Sequence, residues 1–350
     1  MVWAIRSLSE WITTSRIGMQ GYEVHDGGSR KAECSGDLSR MPVIDLARLA
    51  ARLPARPLTR FAPSPTGYLH LGHVANAVWV WGLARALGGR VLLRLEDHDR
   101  GRCRPEYESA LLEDLEWLGL VPDAGTVAEL RLGPSPYRQS DAGESYAAAL
   151  ADLASRAGVF ACDCSRKDLA RESGDVLNEE TPYTGRCRSR GLAPAPGRGL
   201  RLRVDPGVER FDDARIGPCE QMPAAQCGDL LLQDRMGQWT YQFAVVVDDL
   251  RHGVDLVVRG DDLLESTGRQ LLLARQLGRA APPVFLHHPL IRKPGGEKLS
   301  KSSGDTGIRE LRAAGVAPAA VLGRAAFLTG VQPADVPLAP GELANLFGTG

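Results

Sequence analysis

Residues 58–96 carry the pattern that most restricts the fold. Leu58-Thr59-Arg60-Phe61 reads as a short strand ending at Pro63. Pro63-Ser64-Pro65-Thr66-Gly67 is turn chemistry, since proline breaks the ladder and glycine permits tight backbone paths. A helical run follows over about His73–Leu87 and is stopped by Gly88-Gly89. Arg90–Glu96 (RVLLRLE) is then a buried type of strand. Strand, helix and strand in this length form a βαβ unit, and so require a parallel sheet and an α/β fold.

Further helices are expected at Pro105–Leu118 and Ala142–Ala157. From Ala161 to about Gly237 the rhythm breaks into turns and short strand-like pieces, read as an insertion between two halves of the sheet. The α/β pattern resumes at Thr240–Val247 and Val254–Arg259, followed by a helix over Asp261–Leu277. Phe285–Ile291 leads to a lysine-bearing loop, and short helices near Ile308–Ala314 and Ala317–Leu328 close the fold. The last twenty residues hold several prolines and glycines and read as a flexible tail. Residues 1–56 fit poorly with the rest. They read as a disordered extension or an upstream start, with Met41 an alternative start and a short helix around Val43–Leu53. The expected division is 1–56, 57–160, 161–239 (the insertion), 240–305 and 306–350.

No apolar run approaches membrane-spanning length, so a cytoplasmic location is expected. The net charge of −1 gives no global argument for nucleic-acid binding, and any RNA footprint must be a local patch. Arg186, Arg188, Arg190, Arg198, Arg201 and Arg203 are the candidates; they form a basic face or are scattered. Seven cysteines without a secretory signal argue against a disulfide framework. Cys34, Cys103, Cys219 and Cys227 show no ligand spacing and read as unpaired thiols. Cys162, Cys164 and Cys187 can converge as three thiolates, which points to tetrahedral zinc with one ligand left open.

Two segments carry phosphate chemistry. His70-Leu71-Gly72-His73 sits where the first strand turns into a helix, with free backbone N–H groups and the positive end of the helix dipole. Gly72 lets a nucleotide approach closely, and the two imidazoles can donate to phosphate oxygens without fixed charge. The plain alternative is a capping turn with two surface histidines. The second segment, Lys298-Leu299-Ser300-Lys301-Ser302, follows two glycines in a chain with only five lysines. Setting a carboxylate against a triphosphate needs cations that arrive with the transition state, and lysine suits that role.

Arg60-Phe61-Ala62-Pro63-Ser64-Pro65-Thr66-Gly67 joined to His-Leu-Gly-His resembles the start of glutamyl- and glutaminyl-tRNA synthetase catalytic domains. Similar blocks follow in order: Arg94-Leu95-Glu96-Asp97, Arg138-Gln139-Ser140, Tyr241–Asp249 (YQFAVVVDD) and Val258–Asp262 (VRGDD). The likeness spans about residues 58–330. Within that family the chain looks most like the short glutamyl-Q tRNA(Asp) branch, because few residues follow Ser302, and because of the RGDDLLESTGRQ segment and the cysteine cluster. The resemblance implies a class I synthetase Rossmann-like sheet, an inserted zinc-containing acceptor-type subdomain, a short helical C-terminal region and no anticodon-binding domain. It also points to Tyr183 as a fourth ligand of one structural Zn²⁺ beside Cys162, Cys164 and Cys187. His70, His73, Lys298 and Lys301 are implied to be catalytic, and His70, Gly72, His73 and Lys301 to bind ATP with Mg²⁺. Arg60, Phe61, Ala62, Pro63, Ser64, Glu96, Tyr241 and Arg259 are implied to hold L-glutamate. In that set, arginine can grip a carboxylate and Glu96 can pair with the amino group. Val245 stands where several full-length glutamyl enzymes carry a polar residue.

The implied reaction has two steps. Glutamate attacks the α-phosphate of ATP, and a hydroxyl of the queuosine base at the wobble position of tRNA(Asp) then takes the glutamyl group. A monomer is expected. The alternatives are a tRNA-charging glutamyl synthetase without its anticodon-binding domain, a small-molecule adenylate-forming ligase, and a non-catalytic RNA-binding protein on this fold.

Overall fold

The structure is a computed structural model that describes residues 33–34, 44–173, 182–291 and 307–348. Its strands are β1 (Glu33–Cys34), β2 (Leu58–Phe61), β3 (Arg90–Leu93), β4 (Val159–Cys162), β5 (Gly199–Leu202), β6 (Glu209–Asp213), β7 (Gly217–Gln221), β8 (Leu230–Gln233), β9 (Leu256–Gly260) and β10 (Val284–His288). The central sheet has the order β10-β9-β2-β3 and is parallel throughout, as the βαβ pattern required. The chain runs from β2 to β3 on one side, while β9 flanks β2 on the other. At such a reversal of strand order a crevice opens beyond the carboxyl ends of the strands. Arg60 on β2 and Arg259 on β9 sit near those ends.

The helix Leu71–Ala86 connects β2 to β3 and is buried from Val74 to Ala84 apart from Asn76. A helix that is apolar all round must be covered all round. Val321, Leu322, Ala325 and Ala326 of the helix Pro318–Leu328 belong to the same buried cluster, and so do Leu338, Leu343 and Phe347. The segment expected to be a flexible tail is therefore part of the core. Pro340–Leu346 winds as a 3-10 helix, and the Phe347 ring lies 5.2 Å from that of Trp79. Its apolar residues meet an uncovered helix face, and that burial outweighs the turn-forming composition between them.

The described part of the extension is built into the fold, and the short helix expected around Val43–Leu53 is present. The helix Leu46–Ala50 buries Leu49 in the central cluster, and β1 pairs antiparallel with β7. Cys34 faces Cys219 directly in that register and the two form a disulfide, so neither is an unpaired thiol. Met41 and residues 1–32 lie outside the described residues.

Two antiparallel sheets, β4-β5-β8 and β1-β7-β6, are built around the inserted segment, which supplies β5 to β8, while β4 leads into it and β1 comes from the extension. Leu202, Leu230 and Leu232 share a buried cluster with Tyr146 and with Phe243 and Val245 of the helix Tyr241–Arg251. Val245 thus faces this core and not the cavity described below. Among the described residues no helix is long and apolar enough to cross a membrane.

Candidate active site

His70 is the N-cap of the helix Leu71–Ala86. Its Nδ1 accepts the Gly72 N–H at 3.1 Å, and Nδ1 of His73 accepts the His70 N–H at 3.1 Å. The capping alternative is thus real, and it serves the chemistry. With both Nδ1 atoms used as acceptors, each neutral ring carries its proton on Nε2, the form that donates to an anion. Gly72 has a second purpose here: a Cβ at that position would lie 2.9 Å from Cε1 of His70.

A cavity of about 710 Å³ opens at the crevice between β2 and β9. That volume suits a small-molecule ligand or cofactor. Arg60, Phe61, Ala62, Pro63, Ser64, His70, Gly72, His73, Glu96, Tyr241 and Arg259 all line it. Lys298 and Lys301 lie outside the described residues. Asn76, Asp262 and His288 also line the cavity and were not anticipated. Asn76 is one turn beyond Gly72 on the same helix, and its Oδ1 is buried without a hydrogen-bond partner among the described residues. The i, i+4 spacing from Gly72 was the signal that would have found it.

Behind the cavity lies a buried charge network. Arg94, fully buried, donates from Nη1 to Asp249 Oδ1 at 2.7 Å and from Nη2 to Glu96 Oε1 at 3.0 Å. Arg60 donates from Nε to the same Asp249 carboxylate, at 3.2 and 3.3 Å, and from Nη1 to the Val258 carbonyl. Arg60 is therefore already paired with an acid within the fold. Asp248, next in line, accepts from Gln139 Nε2 at 2.8 Å, Tyr146 at 2.9 Å and Arg251 at 2.7 Å. Burial pushes the Glu96 carboxyl above its ordinary range, while Arg94 and Arg60 pull against that shift.

Arg259 is held differently. It is 3% exposed, yet among the described residues no carboxylate pairs with it. Its donors go to neutral acceptors: His287 Nε2 at 3.0 Å, Gln270 Oε1 at 2.7 Å and Thr267 Oγ1 at 2.8 Å. A buried cation without a counter-charge is costly unless an anion joins it. Of the two arginines that line the cavity, Arg259 is the one without a carboxylate partner among the described residues.

In the insertion, the sulfurs of Cys162, Cys164 and Cys187 lie within 4.8 Å of one another, all buried. The Tyr183 hydroxyl is 3.5 Å from Cys162 Sγ and accepts the Cys187 N–H at 2.8 Å. Tyr183 is fixed through its backbone against Gly228, which has φ +63°; a Cβ there would sit 2.0 Å from the Tyr183 carbonyl oxygen. Four of the six candidate arginines of the insertion are engaged by other groups within the fold. Arg188 is held by Asp229, Arg190 by Asp163 and Arg203 by Asp205, while Arg201 is buried over the Tyr183 ring.

A family model described as tRNA synthetases class I (E and Q), catalytic domain, matches residues 58–337. The chain is 43% identical over 308 residues to the glutamyl-Q tRNA(Asp) synthetase of Nitratidesulfovibrio vulgaris, covering 83% of this chain and 91% of the relative. It is 40% identical over 299 residues to the protein of that name from Symbiobacterium thermophilum, covering 82% and 91%. A crystal structure of a glutamate tRNA ligase from Elizabethkingia meningosepticum, in complex with its amino acid, superposes with a TM-score of 0.69 at 28% identity; the match covers 84% of this chain and 65% of that one. The chain belongs to the class I glutamate and glutamine tRNA synthetase family and carries its catalytic domain.

Proposed function

We propose that this protein activates L-glutamate with ATP and transfers it to the queuosine base at the wobble position of tRNA(Asp). The observation that carries the amino-acid half is Arg259, a buried guanidinium without a carboxylate partner among the described residues, in one cavity with Glu96. An amino acid with a second carboxylate answers both charges: its ammonium meets Glu96 and a carboxylate meets Arg259. Tyr241 and Arg60 line the same wall and can complete the grip. His70 and His73 then face the triphosphate of ATP, which Mg²⁺ accompanies, from the helix N-terminus. Lys298 and Lys301 are the cations proposed to follow the leaving pyrophosphate. Positioning supplies much of the rate of the transfer step, and no side-chain base is assigned to it. Support for the acceptor comes from relatives named glutamyl-Q tRNA(Asp) synthetase that match over 91% of their own length.

The test of the first step is amino-acid-dependent exchange between ATP and pyrophosphate. Glutamate should support it, and glutamine and aspartate should do so far less. Exchange driven equally well by an acid lacking the ammonium group would contradict the reading.

We also propose that Cys162, Cys164, Cys187 and Tyr183 hold one structural zinc ion. Tetrahedral thiolates around zinc lie about 3.8 Å apart, a spacing these sulfurs can adopt with small side-chain movements. Burial, then the neighbouring sulfurs, push the Cys164 thiol up to about 12, and a divalent cation reverses that preference. The ion would pin a segment whose own buried cluster is those four side chains. Chelation of the purified protein, or Cys187→Ser, should release one zinc per chain and expose the region around Cys162–Cys187 to proteolysis. Unchanged proteolysis after complete metal removal would count against the site.

A further inference from the structure

The buried charge of Arg259 is oriented by a histidine that belongs to neither of the phosphate-facing motifs. His287 lies on β10 beside β9, directly across from Arg259 in the parallel register. Its Nε2 is 3.0 Å from Arg259 Nε. An arginine Nε–H can only donate, so His287 Nε2 must present its lone pair. The ring proton is then on Nδ1, which lies 2.7 Å from Asp213 Oδ2. Thr267 agrees with this tautomer: its Oγ1 accepts from Arg259 Nη2 at 2.8 Å, which leaves its own proton for His287 Nε2 at 3.2 Å. Asp213 is fixed in turn. Its Oδ1 accepts the N–H groups of Arg215 and Ile216, and Oδ2 also accepts the N–H of His287. Both His287 and Asp213 are buried, and burial pulls the imidazole down to about 4, so the ring stays neutral.

We propose that Asp213 and His287 are positioning residues for substrate recognition: the carboxylate sets the imidazole tautomer, and the imidazole turns Arg259 so that its remaining N–H groups face the bound carboxylate. Three of the five guanidinium N–H groups are used on His287, Gln270 and Thr267, leaving one on each terminal nitrogen. Gln270 is held in register by donating to Gln242 Oε1 at 2.8 Å, so the fork is fixed from two sides. Asp213 is the last residue of β6, where the strand turns towards β7, which gives the inserted segment a direct part in amino-acid selection. The inference rests on the reading that Arg259 receives a carboxylate of glutamate.

The test compares variants of similar size and polarity, with glutamate and ATP affinities measured by calorimetry on each full-length protein. The Oε1 of His287→Gln can reach the place of Nε2 and accept from Arg259, whereas the Oδ1 of His287→Asn can reach only the place of Nδ1. The account predicts that His287→Gln stays within about threefold of the natural protein for glutamate. His287→Asn should lose about tenfold or more, and ATP affinity should move less than about twofold in both. In Asp213→Asn, Oδ1 still accepts from the turn, but an NH₂ group faces the ring and reverses its tautomer. The same loss for glutamate is expected, and none beyond that of Arg259→Ala when the two are combined. Equal glutamate affinity for the Gln and Asn variants, or an Asp213→Asn loss that persists undiminished on the Arg259→Ala background, would overturn the positioning role. Arg259→Ala binding glutamate normally would instead overturn the reading beneath it.

Discussion

Asp249→Asn should destabilise the folded protein by roughly 3–5 kcal/mol at neutral pH, the largest stability effect expected of a single substitution outside the apolar core. Asp249 is the shared counter-charge of Arg60 and Arg94, with Arg94 Nη1 at 2.7 Å and Arg60 Nε at 3.2 Å. Arg94 has no route to water, being fully buried. Replacing the carboxylate by an amide keeps the shape and one acceptor but leaves two guanidinium charges facing Glu96 and Asp248 alone. Breaking one partner of a buried ion pair costs more than the pair ever contributed, because the remaining charge stays desolvated. The pH dependence has a definite sign. Burial alone would raise the Asp249 carboxyl, but Arg60 and Arg94 prevail and hold it below its ordinary value of 3.8. Its contribution is therefore complete above that value and is lost as pH falls through the lower folded value. Urea unfolding should show the full difference between natural protein and variant at pH 7 and a shrinking difference below about pH 4. A difference under about 1 kcal/mol at pH 7 would remove Asp249 from the centre of the network.

Glu96→Gln carries the second large effect, on binding rather than stability. Arg94 keeps Asp249 in this variant, and the glutamine Oε1 can still accept from Arg94 Nη2, so the fold should hold. The proposed ammonium of glutamate, however, loses its charge-assisted partner in a desolvated wall. Such a hydrogen bond contributes about 1.5–3 kcal/mol, which corresponds to roughly 10- to 100-fold in glutamate affinity. ATP affinity should stay near that of the natural protein. Since burial raises the Glu96 carboxyl, the natural protein should lose glutamate affinity on acidification at a higher pH than an ordinary carboxylate would, and the glutamine variant should lack that step. Glutamate binding of natural strength in Glu96→Gln would exclude the ammonium contact.

The parts legible in the sequence are those whose determinants are local. The βαβ unit could be read from Leu58–Glu96 because a strand, a proline-glycine turn and an apolar helix announce themselves within forty residues. The same segment brought His70, Gly72 and His73 to the strand end, and the parallel sheet placed them beside Arg60 and Arg259. What escaped were pairings between distant residues. Arg94 and Asp249 sit in blocks read only for their resemblance, and nothing in their spacing said that they meet. Cys34 and Cys219 are 185 residues apart and join only because β1 and β7 lie in register. Leu338, Leu343 and Phe347 looked like tail residues because the helix face they cover is formed more than 250 residues earlier. Arg188 meets Asp229 from 41 residues away, another pairing that spacing could not announce.

The central claim is that an activated glutamate is passed to a modified base and not to the acceptor end of a tRNA. Incubating the full-length protein with ATP, labelled glutamate and tRNA(Asp), either carrying queuosine or lacking it, tests this most directly. Label should enter only the queuosine-containing tRNA(Asp), and after ribonuclease digestion it should stay with the anticodon fragment and not with the 3′-terminal one. Equal labelling of both preparations, or labelling of tRNA(Glu) at its 3′ end, would contradict the account.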